Sequence, residues 1–365
     1  TQFVDGSGPI FGGSVFPFVF ITIACGAISG FHALISSGTT PKLIDNERHI
    51  PMIGYGGMLL EAFVAIMAMV AACVLEPGIY FAINSPAGVV GTEANEIISK
   101  INSWGYSVTV EQMNQLAKDV GESTLFARTG GAPSLAVGMA TIFANAFGKH
   151  LLALWYHFAI MFEAVFILTT LDSGTRVGRF MLQDMLGNLH PKLGQTSWLP
   201  SIILASFIVV SCWGYFLYIG VIDPNGGVNI LWPLFGIANQ MLAAIALSVG
   251  TAILIKSDKI KFAWITAIPL VWLMIVTTSA SYQKIFSEDT RIGFLSAANS
   301  MTEKISNGYI PDYGIDVAQK LIFNLKLDAG ITIFLVIILW IVIIDVLRIA
   351  LTINIQNRKR RLSDV

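Results

Sequence analysis

Five polar side chains sit inside long apolar runs of this sequence: His32, Glu61, Glu163 and the adjacent amides Asn239 and Gln240. Ionisable groups at such positions are costly and generally paired or functional. Histidine titrates near neutral pH, so His32 can relay a proton or hydrogen-bond a carboxylate; it can equally bond a backbone carbonyl. Glu61 lies about 12 Å along its helix from Ile53, at 1.5 Å per residue, which puts it near mid-membrane. Glu163 is equally central in its own apolar run. Each carboxyl must be protonated, paired or solvated there. Protonated, it can take up and release a proton as water access changes. Alternatively, it is a buried acid that ties two helices together.

Downstream of Glu163, the residues Thr169, Thr170 and Asp172 offer oxygens of the kind a sodium ion uses. The same groups can end a helix, with Arg176 pairing Asp172. Further along, Trp232, Gly236 and Asn239/Gln240 recur at helical spacing and make a polar-aromatic stripe, with Pro233 beside it. Such a stripe can line a path or bond a neighbouring helix.

The first apolar run, 15–36, is not a plain anchor. Thr22, Cys25/Gly26, Ser29, His32 and Ser36 recur every three or four residues on one face, and Gly26 and Gly30 weaken the helix between them. Freed backbone at membrane depth is tolerated only against protein or a water-filled cavity. Interrupted helices of this kind hold substrate and ions in secondary transporters. A second half-helix starting near Phe31 would aim its N-terminal N–H groups at an anion. Gly26, Ser29, Gly30 and His32, with Trp232, Asn239 and Gln240, are therefore the candidate substrate contacts. Glu61 and Glu163 are the candidates for proton coupling, and Thr169, Thr170 and Asp172 are a weaker ion site. A helix-packing seam of small residues is the competing reading of the glycines.

These residues need a membrane scaffold, and the composition demands one: 55% of the 365 residues are hydrophobic and 12% charged, about half the usual charged share. Apolar windows of spanning length, about 20 residues, run near 15–36, 53–75, 150–171, 199–221, 230–255, 262–282 and 328–350. A run at 133–147 is too short and fits a re-entrant helix. Lys and Arg mark the cytoplasmic side: Lys42 and Arg48, Arg176, Arg179 and Lys192, Lys256 to Lys261, and the tail from Arg348 to Arg361. Asp223 to Gly227 then falls outside. This parity holds only if 133–147 does not cross. Asp328 and Asp345 mark the two borders of the last span. Segments 76–132 and 283–327 are external, the first with one or two amphipathic helices around 93–120, the second with a short helix near 315–326. The net charge of −1 gives no basic field for nucleic acid. Three scattered cysteines make no disulfide framework. No nucleotide loop or hydrolase motif is present, so no enzyme activity, cofactor or metal is expected.

Phe31-His32-Ala33-Leu34-Ile35-Ser36-Ser37-Gly38-Thr39-Thr40-Pro41-Lys42 closely resembles the carbon starvation protein A (CstA) family. So do Gly54-Tyr55-Gly56-Gly57-Met58-Leu59 with Glu61, Gly130-Gly131-Ala132-Pro133, Asp172 to Arg176, and Leu231 to Gln240. The resemblance implies a transporter of peptides, or of pyruvate in close relatives, in the bacterial inner membrane, coupled to protons. It implies an all-α polytopic fold with about seven transmembrane helices plus a re-entrant helix, the second half of a LeuT-like inverted-repeat fold of the amino acid–polyamine–organocation superfamily. The organisation expected is a membrane core at 1–282 with a cap at 76–149, an external loop at 283–327, and a last span with a basic cytoplasmic tail at 328–365. Family members are roughly twice as long, and residue 1 is Thr. An N-terminal half is therefore expected as partner, beside the lipid bilayer, and this half alone is not expected to transport. A non-transporting receptor or structural subunit is the rival class.

Overall fold

The computed structural model describes residues 7–10, 12–222, 228–257, 259–311 and 314–363, with the backbone alone at 24, 25, 216, 219–222, 228–234, 351 and 353–363. The expected outer loop Asp223 to Gly227 lies outside the described residues. Among those described, the elements are helices and turns, with no strand. The chain forms two units, one mainly of residues 39–181 and the other of 12–38 with 182–365.

The second unit opens with a π-turn at Val15–Val19 and α1 at Phe20–Ala27, after which the chain leaves helical geometry for two residues. It resumes as α2, Gly30–Gly38. The interruption thus falls at Ile28 and Ser29, and Gly26 stays inside α1.

The other unit begins with a short turn α3, Thr40–Leu43, and with α4, Gly57–Val74. The expected external segment follows as α5 (Pro77–Asn84), α6 (Ala87–Val90), α7 (Ala94–Ser103) and α8 (Val110–Val120). A capping box between Thr109 and Gln112 starts α8. The amphipathic pattern is answered from within the chain. Ile97, Ile98 and Ile101 of α7 and Met113, Ala117 and Val120 of α8 share a core with Ile83, Leu125 and Val137. Each fully buried isoleucine contributes on the order of 1.5–3 kcal/mol.

Next comes α9, Ala132–Phe147, entered through Gly130 and Gly131 with φ of 109° and 89°, which side-chain-bearing residues rarely adopt. Its 16 residues rise about 24 Å, short of a hydrocarbon layer of about 30 Å. Against α4 the backbones nearly touch: a Cβ on Gly138 would collide with the Ala71 carbonyl. Phe143 and Phe147 then stack on Trp155, at 4.9 and 5.6 Å between centroids, joining α9 to α10, Leu152–Gly187.

The α10 helix outruns the expected span. It continues through Asp172 for a further four turns, since no proline interrupts it before Pro191 and isolated glycines cost only about 1 kcal/mol each. Near its end Phe180 receives two cations, Lys42 at 4.3 Å and Arg179 at 4.8 Å from the ring centroid. The basic loop after α2 and the basic part of α10 therefore meet.

In the second unit, α11 (Leu199–Ile222) is tied back to the end of α10 by Gln183. Its Nε2 donates to Ser201 Oγ at 2.9 Å. Then come α12 (Val228–Lys256), α13 (Trp264–Phe286), α14 (Phe294–Ser306) and α15 (Ile315–Ser363). α12, α13 and α15 pack on one another, and α1 and α2 lie against α12. The helix expected near 315–326 and the span expected at 328–350 are one continuous helix, because nothing between them breaks it. Five helical stretches are long and apolar enough to cross a membrane among the described residues: Glu47–Val74, Lys149–Gly187, Phe235–Lys256, Trp264–Phe286 and Ile315–Ala350. Run 15–36 is not among them because it is two pieces. Within α11 the stretch Leu199–Tyr215, before the first residue described by backbone alone, counts as a shorter apolar helix.

Candidate functional site

The interruption between α1 and α2 creates backbone donors that α12 satisfies. Asn239 Oδ1 accepts the Phe31 N–H at 2.8 Å and the Ser29 hydroxyl at 3.3 Å. The first N–H groups of a helix have no partner within it. Here one of them is met from a neighbouring helix instead of by a capping side chain of its own. Asn239 is only 3% exposed, so an unmatched donor at this point would have no water to turn to.

Close approach makes this possible. A Cβ on Gly30 would collide with the Asn239 carbonyl oxygen and Leu242 Cβ, and would lie 2.9 Å from the Ala243 nitrogen. On the α1 side, a Cβ at Gly236 would come within 3.1 Å of Ile21. Gly30 thus lets α2 meet the backbone of α12, and Gly236 gives the Ile21 side chain of α1 room against α12.

The polar stripe faces away from this contact. Thr22, Gly26, His32 and Ser36 are exposed, and Ser29 is partly so, whereas Ile21 and Gly30 are buried. The Ser36 hydroxyl donates to the Ala33 carbonyl at 3.0 Å, and the Phe31 and His32 rings sit edge to face at 6.2 Å. The backbone of Trp232 is helical, and its side chain lies outside the described residues. Gln240 is next to Asn239 in sequence, but it is fully buried and neither polar atom of its amide has a hydrogen-bond partner among the described residues.

The two glutamates belong to the other unit. Glu61 is exposed on α4; Glu163 is half-buried on α10, with Oε2 shielded and unpartnered. Thr169 and Thr170 both donate their hydroxyls to the Phe166 carbonyl, at 2.7 and 3.3 Å, and Asp172 pairs with Arg176 at 2.8 Å. All three are exposed. The Asp172–Arg176 pair is a mid-helix pair and not a helix end, because α10 runs on to Gly187.

Sequence reasoning missed a second group of polar residues. Asp328, taken as a border marker, is 7% exposed, and Thr277, Ser281, Lys284 and Thr332 are buried too. Their signal is visible in retrospect as Thr277, Ser281 and Lys284 at helical spacing in α13.

Burial raises the Tyr80 phenol, and the Arg291 guanidinium and backbone hold the Asp289 carboxyl below its usual range.

Comparison with known proteins follows the same lines. The sequence model of the family described as "Carbon starvation protein CstA" matches residues 1–280. The chain is 51% identical over 358 residues to "Peptide transporter CstA" of Escherichia coli (strain K12), covering 96% of this chain and 51% of that protein. It is 49% identical over 367 residues to "Pyruvate/proton symporter BtsT" of the same organism, covering 94% and 51%. A "Peptide transporter CstA" of Mycobacterium tuberculosis (strain ATCC 25618 / H37Rv) is 52% identical over 297 residues, covering 80% and 39%. The chain spans about half the length of the curated relatives it matches. No solved structure matches it.

Proposed function

The chain belongs to the carbon starvation protein CstA family, and from that membership we propose that it is the C-terminal half of a secondary transporter. Its cargo is a peptide or pyruvate, which the names of its relatives, a peptide transporter and a pyruvate/proton symporter, support; it moves together with protons across the bacterial inner membrane by alternating access. The observation that carries the reading is the discontinuous helix. α1 and α2 are separated at Ile28–Ser29, and the exposed side there carries the partly exposed Ser29 and the exposed His32 in the first turn of α2. Backbone irregularity of this kind suits a ligand cavity at membrane depth.

In this reading His32, with Gly26, Ser29 and Gly30 about the interruption, holds the substrate carboxylate. Asn239 fixes the half-helix, while Trp232 and Gln240 belong to the wall of the path. Glu61 and Glu163 carry protons, and Thr169, Thr170 and Asp172 are the secondary ion candidate. The uncovered polar stripe and the apolar α4 and α10 surfaces meet the N-terminal half and lipid, within a LeuT-like pair of inverted repeats. Contact of Lys42 and Arg179 with one ring, Phe180, supports an even number of crossings between them and hence a re-entrant α9. Positive charge on that side and in the tail after Arg348 supports a cytoplasmic C-terminus.

Uptake of labelled dialanine and labelled pyruvate into proteoliposomes containing the full-length protein tests this reading. Accumulation driven by an inward proton gradient is expected for one of them. Absence of accumulation under any imposed ion gradient favours the receptor reading instead.

A further inference from the structure

A groove of about 620 Å³ runs between α12 and α15, a volume within the range of about 300–1,000 Å³ that small-molecule sites occupy. Its walls are apolar, with Val249 and Ile253 of α12 and Ile341 and Ile344 of α15, all of them exposed. Three charged residues also line it: Lys256, the last residue of α12, and Asp345 and Arg348 of α15.

The two cations gather at one end of the groove. Thr251 Oγ1 of α12 and Thr266 Oγ1 of α13 meet at 2.8 Å across the short link between the helices, so α13 doubles back beside α12. With 13 residues, α14 is too short to cross a membrane. α15 therefore returns past α13 in the direction of α12. On α12 the lining starts at Val249 and ends at Lys256; on α15 it starts at Ile341 and reaches Arg348, seven residues on in both cases. At 1.5 Å per residue that is about 10 Å, apolar where it begins and cationic where it ends. The apolar windows stop at the cationic end: Lys259 and Lys261 follow α12, and Arg358 to Arg361 follow Arg348.

Lys256, Asp345 and Arg348 make no ion pair among the described residues, although Asp345 and Arg348 are one turn apart on the same helix. The groove thus sets two positive charges against one negative. A soluble anion would use the cations alone, and a hydrocarbon chain the walls alone. A phospholipid uses both, because its phosphate lies at the depth where spanning helices end and its acyl chains extend inward. The excess of positive charge favours a headgroup with no ammonium of its own. Asp345, which as a carboxylate only accepts hydrogen bonds, suits a headgroup that carries hydroxyls.

We propose that this groove binds an anionic phospholipid of the phosphatidylglycerol type, its phosphate held by Lys256 and Arg348 and one acyl chain lying along the apolar walls. None of the residues at the helix interruption lines the groove, and the site stands whether or not the transport reading holds. The tail cations begin ten residues past Arg348, about 15 Å further along α15. They add a salt-screened attraction without forming the site.

Native mass spectrometry of the purified full-length protein in detergent tests this, with phosphatidylglycerol, phosphatidylethanolamine or phosphatidylcholine added in turn. One tightly held phosphatidylglycerol is expected, which neither zwitterionic lipid displaces at equal concentration. Lys256→Gln and Arg348→Gln should each weaken it about fivefold, and Lys256→Arg should retain it. Ile344→Trp, which narrows the groove and leaves both cations, should weaken it as well. Unchanged affinity in both Gln variants overturns the proposal, and is the result if the N-terminal half covers the groove. Tighter binding of phosphatidylethanolamine that Asp345→Asn abolishes overturns the choice of an anionic lipid. Displacement by glycerophosphoglycerol or inorganic phosphate at the lipid's own concentration would make the occupant a soluble anion and overturn it too. If a Gln variant fails to fold, retention in Lys256→Arg together with loss in Ile344→Trp still supports the site, and undiminished binding in Ile344→Trp overturns it.

Discussion

Asn239 of α12 caps Phe31 of α2 from 208 residues away, through one hydrogen bond of 2.8 Å between its side-chain oxygen and the Phe31 N–H. The bond joins the interruption to the helix it rests on, so the geometry of one depends on the position of the other. An amide holds the half-helix without adding charge where an anion would bind.

Replacing that amide separates its two roles. Asn239→Ala leaves a buried donor unmatched and should cost about 1–3 kcal/mol in equilibrium unfolding of the purified protein. Asn239→Asp keeps an acceptor for Phe31 and Ser29 at a helix N-terminus, but a carboxylate buried at membrane depth costs about 2.5–3.5 kcal/mol, so stability should fall by more than about 1 kcal/mol. Its negative charge should also raise the KM for an anionic substrate. An unchanged KM in Asn239→Asp would argue that the substrate carboxylate binds elsewhere.

The glycines of the first run should differ sharply. Gly30→Ala drives a methyl into the backbone of α12 and should destabilise by about 1–3 kcal/mol. Gly26→Ala meets nothing within 4 Å and lies inside α1, so it should be neutral or stabilising by up to about 1 kcal/mol. Thermal unfolding of the two variants side by side reads the contrast.

The exposed Asp172–Arg176 pair should matter little to the fold. Asp172→Asn is expected to change stability by less than about 1 kcal/mol, as for other exposed pairs one helical turn apart. Sodium dependence of uptake, compared in wild type and Asp172→Asn, tests the ion role separately: a lost sodium effect in the variant would support it.

The turn after α13 should be sensitive to acid. Asp289 accepts from the Arg291 backbone at 2.9 Å and from its guanidinium at 2.7 Å, which holds its carboxyl below the ordinary value. A depressed folded-state value stabilises the turn above the unfolded value of about 4, and the contribution fades as pH falls through the folded value. Amide exchange at residues 287–293, corrected for intrinsic rate, should be flat from neutral pH to about 5 and accelerate below about 4. Arg291→Ala brings the folded value back toward the unfolded one and should shrink the acid acceleration. Identical profiles in both proteins would refute the coupling.

Much of the architecture was legible because it follows from local rules. Scarce charge and long apolar runs require a membrane-crossing helical chain. The Gly-Ala-Ile-Ser-Gly stretch at 26–30 marked an interrupted helix, and the periodic apolar residues at 93–120 marked two amphipathic helices. Boundaries read less well. Asp172 and Asp328 looked like helix ends, yet a charged residue does not stop a helix whose backbone bonds can continue past it.

Which polar residues face one another was beyond the sequence. Asn239 and Gln240 are adjacent in sequence and indistinguishable in type. Yet a turn of about 100° between neighbours points Asn239 at the broken helix and leaves Gln240 buried with no hydrogen-bond partner among the described residues. Asp328 was likewise invisible as a core residue until the packing of α15 against its neighbours left it 7% exposed. Register between distant helices is fixed by backbone contact at residues such as Gly30 and by pairs such as Thr251 and Thr266, and such pairings leave no local periodic trace in the chain.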